Sequence, residues 1–510
     1  MGGHYDKGMY NQLVDVIEKM EALDHKVSDL TGELKNVEGK LERANKKISK
    51  LESENIQLKA ENAELRSENN KLKEENKKLK DDNERMKRIL NNDSSNSSNP
   101  PSSDGPTARK SANEYNGRVK TKKKAGAQKG HTGKNISKAD IEDGIARGIY
   151  THKIEEIGNK ESGKWITKYR LDVETSVTAT EIRIYADKNG KYNVPDELRG
   201  EVIYGNTVKA LASYLYSEGV MSNDRICDFI NALSGDRLNI STGSIYNFCR
   251  EFSVVCKKLE PTIEDNLLNG DVIATDATVV TMNGSQNYIR NFSNSNFVLF
   301  VGAAKKNLET LRSFSVLAGF NGIFCHDHET AIYNFGCGHA ECNVHLGRYL
   351  IKNTEETHNL WSKNLRSFLI ELNEFRKRSI AQGITAFTDE QTARLEKRYD
   401  EIVALGRKQN KNTKGKLAKQ DECRLLNRLE KYKDHHLLFL RNFSVPFSNN
   451  MSEKDLRICK NREKMSGGFR TDIGRDMYCS ILSVIESLKR QRINLLRGIE
   501  SIFNGQPIFA

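Results

Sequence analysis

GDVIATDATVVTMNGSQNYIRNFSNSNFVLFVGAAK, residues 270–305, reads as three β-strands. Its apolar, β-branched runs break at MNGS and again at SNSN, and both tetrapeptides are turn signals. Inside the first run, between Ile273 and Val279, stands a single acid, Asp276. A carboxylate on a buried strand is costly unless it is paired or holds a metal ion. Further along, GFNGIFCHDHETAIYNF (319–335) predicts another apolar strand that ends at Asp327. Two short strands, each delivering an aspartate, outline one site.

A third carboxylate would complete a cage for a hard divalent cation, which prefers oxygen ligands. VPFSNNMSEKDLRICKNREKMSGGFR (445–470) supplies it. Asn449 or Asn450 suits the cap of a helix, which leaves Glu453 in the first turn, pointing back toward the helix start. Two unit charges about 4 Å apart repel by about 4 kcal/mol at an effective dielectric of 20, so three clustered carboxylates take up protons or bind cations. Two ions roughly 3.5–4 Å apart support in-line phosphodiester chemistry. Taken singly, each acid has another reading: Asp276 as a strand-end turn residue, Asp327 as a helix cap, Glu453 as part of a solvated helix face. Spacing alone does not choose between them.

Composition narrows the class. The chain has 510 residues, 29% of them charged, with a net charge of +12, which favours an anionic partner. No run approaches the ~20 apolar residues that span a bilayer. The N-terminal MGGHYDKGMYNQLVDVIEKM has no apolar signal core, so a cytoplasmic protein without a membrane partner is expected. All nine cysteines lie from Cys227 onward, in no regular framework, and reduced thiols are expected.

From Leu13 to Leu90 a heptad repeat runs without a slip. One seam passes through Leu13, Met20, Val27, Leu34, Leu41 and Ile48, then Asn55, Asn62, Asn69, Asn76 and Asn83; the other runs from Val16 through Leu51, Leu58, Leu65, Leu72 and Leu79 to Met86. Apolar a and d positions flanked by Lys and Glu predict a coiled coil, and the successive a-position asparagines favour a parallel homodimer in fixed register. At ~1.5 Å per residue the rod is about 115 Å long. A solvated single helix is the alternative.

NNDSSNSSNPPSSDGP (91–106) has adjacent prolines and no apolar face, so it predicts a linker. ARKSANEYNGRVKTKKKAGAQKGHTGK (108–134) follows, a cationic arm whose Lys122, Lys123, Lys124 and Lys129 suit sequence-blind phosphate binding. A solubilising linker is its plainer reading. KWITKYRLDVETSVTATEIRIYAD (164–187) alternates in the manner of short strands. Residues 204–233 read as helical, and LNISTGSIYNFCREF (238–252) reads as a turn followed by a helix capped near Ser241 or Thr242. Two helices joined by a short turn suit a DNA-reading module, though helical pairs are commonplace.

Seven segments together resemble transposases of the IS66 family: NSSNPPSSDG, GAQKGHTGK, YGNTVKALASYL, STGSIYNF, DATVVTMNG, HDHETAIYNFGCGHAECNVHLGRY and PFSNNMSEKDLR. Their shared order and spacing make the resemblance more specific than any one motif. It implies an α/β fold with a ribonuclease-H-like catalytic core and a DDE triad of Asp276, Asp327 and Glu453 holding two Mg²⁺ ions, with Mn²⁺ able to substitute. It implies a helical insertion between Asp327 and Glu453, and a supporting role for Cys342, His345, Asn449 and Asn450. Arg457, Lys460, Arg462 and Lys464 follow the glutamate and suit DNA phosphates. Along the chain, residues 1–90 are expected to form the coiled-coil dimerisation helix, 91–135 the linker and basic arm, and 136–196 a small β unit. A helix-turn-helix-like DNA-binding region is expected at 197–265, then the catalytic domain at 266–510 with its insertion at about 346–445.

One departure concerns zinc. Relatives usually carry a cysteine-rich segment after the basic arm, but residues 110–226 contain no cysteine, and His131 and His152 alone cannot complete a tetrahedral site. Cys337, His339, Cys342 and His345 have zinc-like spacing, yet a packed, metal-free helix start is the expectation there, so zinc is not expected. The resemblance implies a nucleoid-associated bacterial enzyme that binds the terminal inverted repeats of its element and joins a freed 3′-hydroxyl to target DNA. Its partners would be those DNAs, a second copy or a higher assembly, and small accessory proteins of the element. The rival readings are a catalytically inactive repressor or architectural protein derived from such an enzyme, and a coiled-coil scaffold.

Overall fold

The computed structural model describes residues 55–90, 92, 96, 136–157, 163, 165–336, 338–506 and 508–509. The heptads before residue 55, the basic arm with Lys122, Lys123, Lys124, Lys129 and His131, and Cys337 lie outside the described residues. Helix α1 (Asn55–Leu90) is continuous over 36 residues, and the heptad leucine Leu72 is 41% exposed in the single chain. The rest divides into two units, one containing Cys256–Asn494 and the other Arg118–Val255 with Leu495–Ile508.

The second of these units is helical. It holds α2 (Lys138–Ala146), α3 (Asn206–Ser217), α4 (Asn223–Leu233) and the first half of α5 (Thr242–Leu268). Ser137 and Ser222 cap α2 and α4 through their hydroxyls. Ser241 performs the same service for α5, its Oγ accepting from Ser244 N at 3.2 Å, so of the two cap candidates it is the serine. Asn231 braces the α4–α5 turn: its Oδ1 accepts from Ile240 N at 2.7 Å and its Nδ2 donates to Ile240 O at 3.0 Å.

The β unit expected over 136–196 does not form among the described residues, which hold α2 and a single isolated bridge, Ala186↔Tyr192. Alternation makes a strand only where one face is buried and a neighbour accepts the backbone hydrogen bonds. Here Ile157, Trp165 and Val173 are 92%, 85% and 92% exposed, so the pattern has neither.

The first unit is built on a five-stranded mixed sheet, ordered β3-β2-β1-β4-β5. The opening stretch supplies β1 (Val272–Met282), β2 (Ser285–Ser293) and β3 (Val298–Ala303) as an antiparallel meander, with its turns where MNGS and SNSN place them. After two short helices, α6 (Leu308–Arg312) and α7 (Ser315–Gly319), β4 (Ile323–His326) returns parallel to β1, and β5 (Gly338–Glu341) lies parallel to β4.

Five helices separate β5 from the region of Glu453: α8 (Asn343–Thr357), α9 (Leu360–Ala381), α10 (Asp389–Asn410), α11 (Lys416–Lys431) and α12 (Lys433–Arg441). Their apolar core centres on the fully buried Trp361. The Trp361 indole donates to buried Glu422 at 2.6 Å, and Asn359 and Asn410 donate to the same carboxylate. Gly406 exists for close packing, since a Cβ there would lie 2.6 Å from Leu426 and 2.8 Å from Trp361. Buried Glu341 ties β5 to these helices by accepting from Arg428 and by facing His436 Nε2 at 3.0 Å.

Helix α13 (Asn450–Ser466) then packs on β1 and β2, and α14 (Asp472–Arg490) covers β3. β3 is the sheet edge, and its outward Val298 and Phe300 N–H groups donate to Ser487 Oγ and Ser483 Oγ of α14, at 3.0 and 2.8 Å. Covering the edge in this way removes a template for strand pairing. The chain closes on α15 (Leu495–Phe503). Among the described residues no helix is long and apolar enough to cross a membrane.

Candidate active site

Register places the two aspartates. β1 and β4 pair in parallel with Ile273 opposite Phe324 and Ala274 opposite Cys325. Two residues further along, the same offset sets Asp276 level with Asp327, each at the C-terminal end of the paired segment. Neighbouring strands lie about 4.8 Å apart, so the carboxylates interact strongly. Burial, and then the charge of Asp327, push Asp276 up to about 7, partly offset by the Ala277 N–H that it accepts at 2.7 Å and by Lys306 and Arg290. Burial alone would raise Asp327 too, but His345, Asn449 and Cys342 beside it outweigh burial and hold it below the ordinary range.

Helix α13 brings the third acid. Glu453 sits in its first turn, largely buried, and burial raises its pKa. Asn449 occupies the cap position, yet its side chain does not cap the helix, which corrects that reading. Its Nδ2 donates instead to Thr275 O of β1 at 3.0 Å, while its backbone N–H donates to Cys342 Sγ at 3.2 Å. Asn449 thus pins the helix start to the strand that carries Asp276. Asn450 is the first helical residue.

A buried polar network, absent from the sequence reading, seats α13 on β2. Asp455 accepts from Ser293 Oγ at 2.7 Å, from Asn291 Nδ2 at 3.2 Å and from Arg490 Nη2 at 2.6 Å. Asn291 Oδ1 in turn accepts from Ser452 Oγ, one residue before Glu453, and from the backbone N–H of Asp276 at 3.2 Å. The available signal was the Asn-x-Ser pair of β2, polar residues alternating where a buried strand favours apolar ones.

Cys342 occupies the cap position of α8 without a side-chain cap bond and His345 lies one turn in, with His345 Nδ1 3.2 Å from Asp327 Oδ2 and 3.6 Å from Glu453 Oε1. Burial works against an imidazolium, but Cys342 and Asp327 prevail and push His345 up to about 11. Arg348 Nη1 lies 3.2 Å from the other ring nitrogen. Among the described residues, one donor atom from each of Asp327, Cys342, His345 and Glu453 lies within 4.8 Å of all the others. Asp276 stands beside that group and outside it. His339 goes elsewhere, into a cluster with Tyr333, His326 and His435, so it does not join Cys342 and His345.

The cations after Glu453 divide. Arg457 and Lys464 are exposed. Lys460 donates to Val279 O and pairs with Glu463 at 3.1 Å, while Arg462 lies over the Tyr478 ring at 5.6 Å. The latter two brace α13 against its own unit.

Residues 51–137 match a family of unknown function (DUF6444). No curated protein shows significant similarity to the chain. Residues 202–477 match the family model described as Transposase IS66 family, and they include β1, β4, α8 and α13 with every acid discussed above. That match covers more than half of the sequence, and the chain belongs to the IS66 transposase family, a class of enzymes that bind and cut DNA.

Proposed function

We propose that the protein is a DDE transposase in which Asp276, Asp327 and Glu453 hold divalent ions and act on the ends of an insertion element. The observation that carries this reading is the meeting of a helix-borne glutamate with the aspartate that follows β4, beside a second aspartate level with it on β1. The site suits hard cations. Asp327 Oδ1 and Glu453 Oε1 are buried and make no hydrogen bond, a costly state that an oxygen-seeking ion relieves. The mixed sheet, a meander followed by parallel strands, supports a ribonuclease-H-like core.

Two Mg²⁺ ions, or Mn²⁺ in their place, would supply Lewis-acid stabilisation and a more acidic water or 3′-hydroxyl. The chain does the rest by placement. β1 and β4 fix the two aspartates at one level, the Asn291–Asp455–Arg490 network fixes Glu453, and Asn449 joins the two halves. Exposed Arg457 and Lys464 are positioned for DNA phosphates. The helices of 197–265 are proposed to read the terminal inverted repeats, and the heptads of 1–90 to pair two copies. The continuous, exposed α1 supports that pairing.

A strand-transfer assay on the native element ends, with and without Mg²⁺, tests the proposal. Joining is expected only with the metal. Asp276→Asn is expected to abolish joining while end binding persists; undiminished joining by this variant refutes the triad. End binding without metal-dependent cleavage by the unaltered chain is the outcome that favours an inactive architectural protein.

A further inference from the structure

We infer that Asp327, Cys342, His345 and Glu453 form a four-donor site for a borderline divalent ion, above all Zn²⁺, which excludes the hard ions from the shared carboxylates when it binds. The inference rests on the reading of Asp327 and Glu453 as metal ligands, and it adds a sulfur and a nitrogen that Mg²⁺ chemistry does not use.

Three observations point the same way. The four donor atoms lie within 4.8 Å of one another. In a tetrahedral zinc site with bonds of about 2.0–2.3 Å the ligand atoms are about 3.3–3.8 Å apart, so small side-chain rotations close the group around an ion. Two of the residues aim a buried polar atom that has no hydrogen bond, Asp327 Oδ1 and Glu453 Oε1, and His345 Nδ1 faces both carboxylates, so an ion there takes the place of its proton. The fourth, Cys342 Sγ, is buried beside them and accepts a backbone N–H from Asn449 at 3.2 Å. Sulfur, imidazole and carboxylate together select zinc-like ions over magnesium, and affinity for such a set rises from Co²⁺ to Zn²⁺ and Cu²⁺. An ion on Nδ1 leaves the ring proton on Nε2, so Arg348 turns aside on binding.

The consequence is regulatory. Asp327 and Glu453 cannot serve a zinc ion and a catalytic magnesium pair at once. Traces of Zn²⁺ would therefore hold the enzyme idle until the ion is removed.

The full-length, reduced and metal-stripped chain, titrated with Co²⁺ alone, tests this. One ion per chain is expected, with a thiolate-to-cobalt charge-transfer band in the near ultraviolet. One equivalent of Zn²⁺ should bleach it, and a large excess of Mg²⁺ should not. Cys342→Ser should lose the band, with Cys342→Ala and a thermal melt of each variant controlling for folding. His345→Ala should weaken Co²⁺ binding by more than about tenfold. Asp276→Asn, outside the group, should keep the band while losing strand transfer. In the unaltered chain, one equivalent of Zn²⁺ should suppress Mg²⁺-dependent joining until a chelator is added. No band, or a band that survives in folded Cys342→Ser, overturns the zinc site and leaves the triad standing. Undiminished joining by Asp276→Asn overturns the triad and leaves the band to be judged by itself. A band without inhibition overturns the competition.

Discussion

Replacing Asp455 with Ala isolates the network that seats the glutamate helix. Asp455 and Arg490 are 5% and 13% exposed, and the guanidinium meets both carboxylate oxygens at 2.6 Å. The substitution strands a buried cation and leaves the Ser293 hydroxyl without its acceptor. Breaking a buried pair by deleting one partner costs about 3–5 kcal/mol. In a unit of this size each kcal/mol moves the melting temperature by roughly 2–4 °C, so its transition should fall by about 10 °C. Because the chain has two units, calorimetry should follow their transitions separately rather than assume one two-state event. Adding Arg490→Met removes the stranded charge and should recover a measurable share, with a coupling energy of about 1–3 kcal/mol in the double-mutant cycle. Strand transfer should fall in the single variant, since Glu453 lies two residues upstream, whereas end binding should persist. An unshifted transition, or strict additivity of the two substitutions, refutes the clamp.

Other expectations follow from single sites. Glu422→Gln replaces an acceptor oxygen with a donor facing Asn410, and should cost the helical insertion about 1–3 kcal/mol, read by urea denaturation. In chelator, folded Asp276 keeps its proton up to about pH 7, whereas the unfolded chain releases it near 3.8. The folded state therefore binds more protons across that interval, so stability should fall as pH rises from about 4 to about 7, and Asp276→Asn should flatten the slope. Leu72→Lys with Leu79→Lys places charge in the heptad seam, and sedimentation should show a dimer converted to monomer; an unaltered dimer places the interface elsewhere.

Much of the sheet was legible because its signals are local. Apolar runs of period two, broken at MNGS and SNSN, mark β1, β2 and β3, and a short apolar run marks β4 up to Asp327. The start of α13 was equally readable from paired asparagines before an amphipathic stretch, although the Asn449 side chain turned out to bind Thr275 rather than cap. The same rule misread 164–187, where alternation is present and, among the described residues, a partner strand is not. Periodicity records what a segment prefers, and pairing requires something to pair with.

The site itself belongs to the other category. Asp276 and Asp327 stand level because a parallel register sets their offset, and register is a relation between two strands rather than a property of either. Glu453 reaches Asp327 because Arg490 and Asn291, distant in the chain, hold Asp455 of its own helix and lock that helix down. Cys342 and His345 part from His339 because a strand ends and a helix begins between them, turning one pair toward the carboxylates and leaving the other histidine among aromatic rings. Residue spacing constrains what one element can present. Which elements face each other is settled by packing, through contacts that no local pattern encodes.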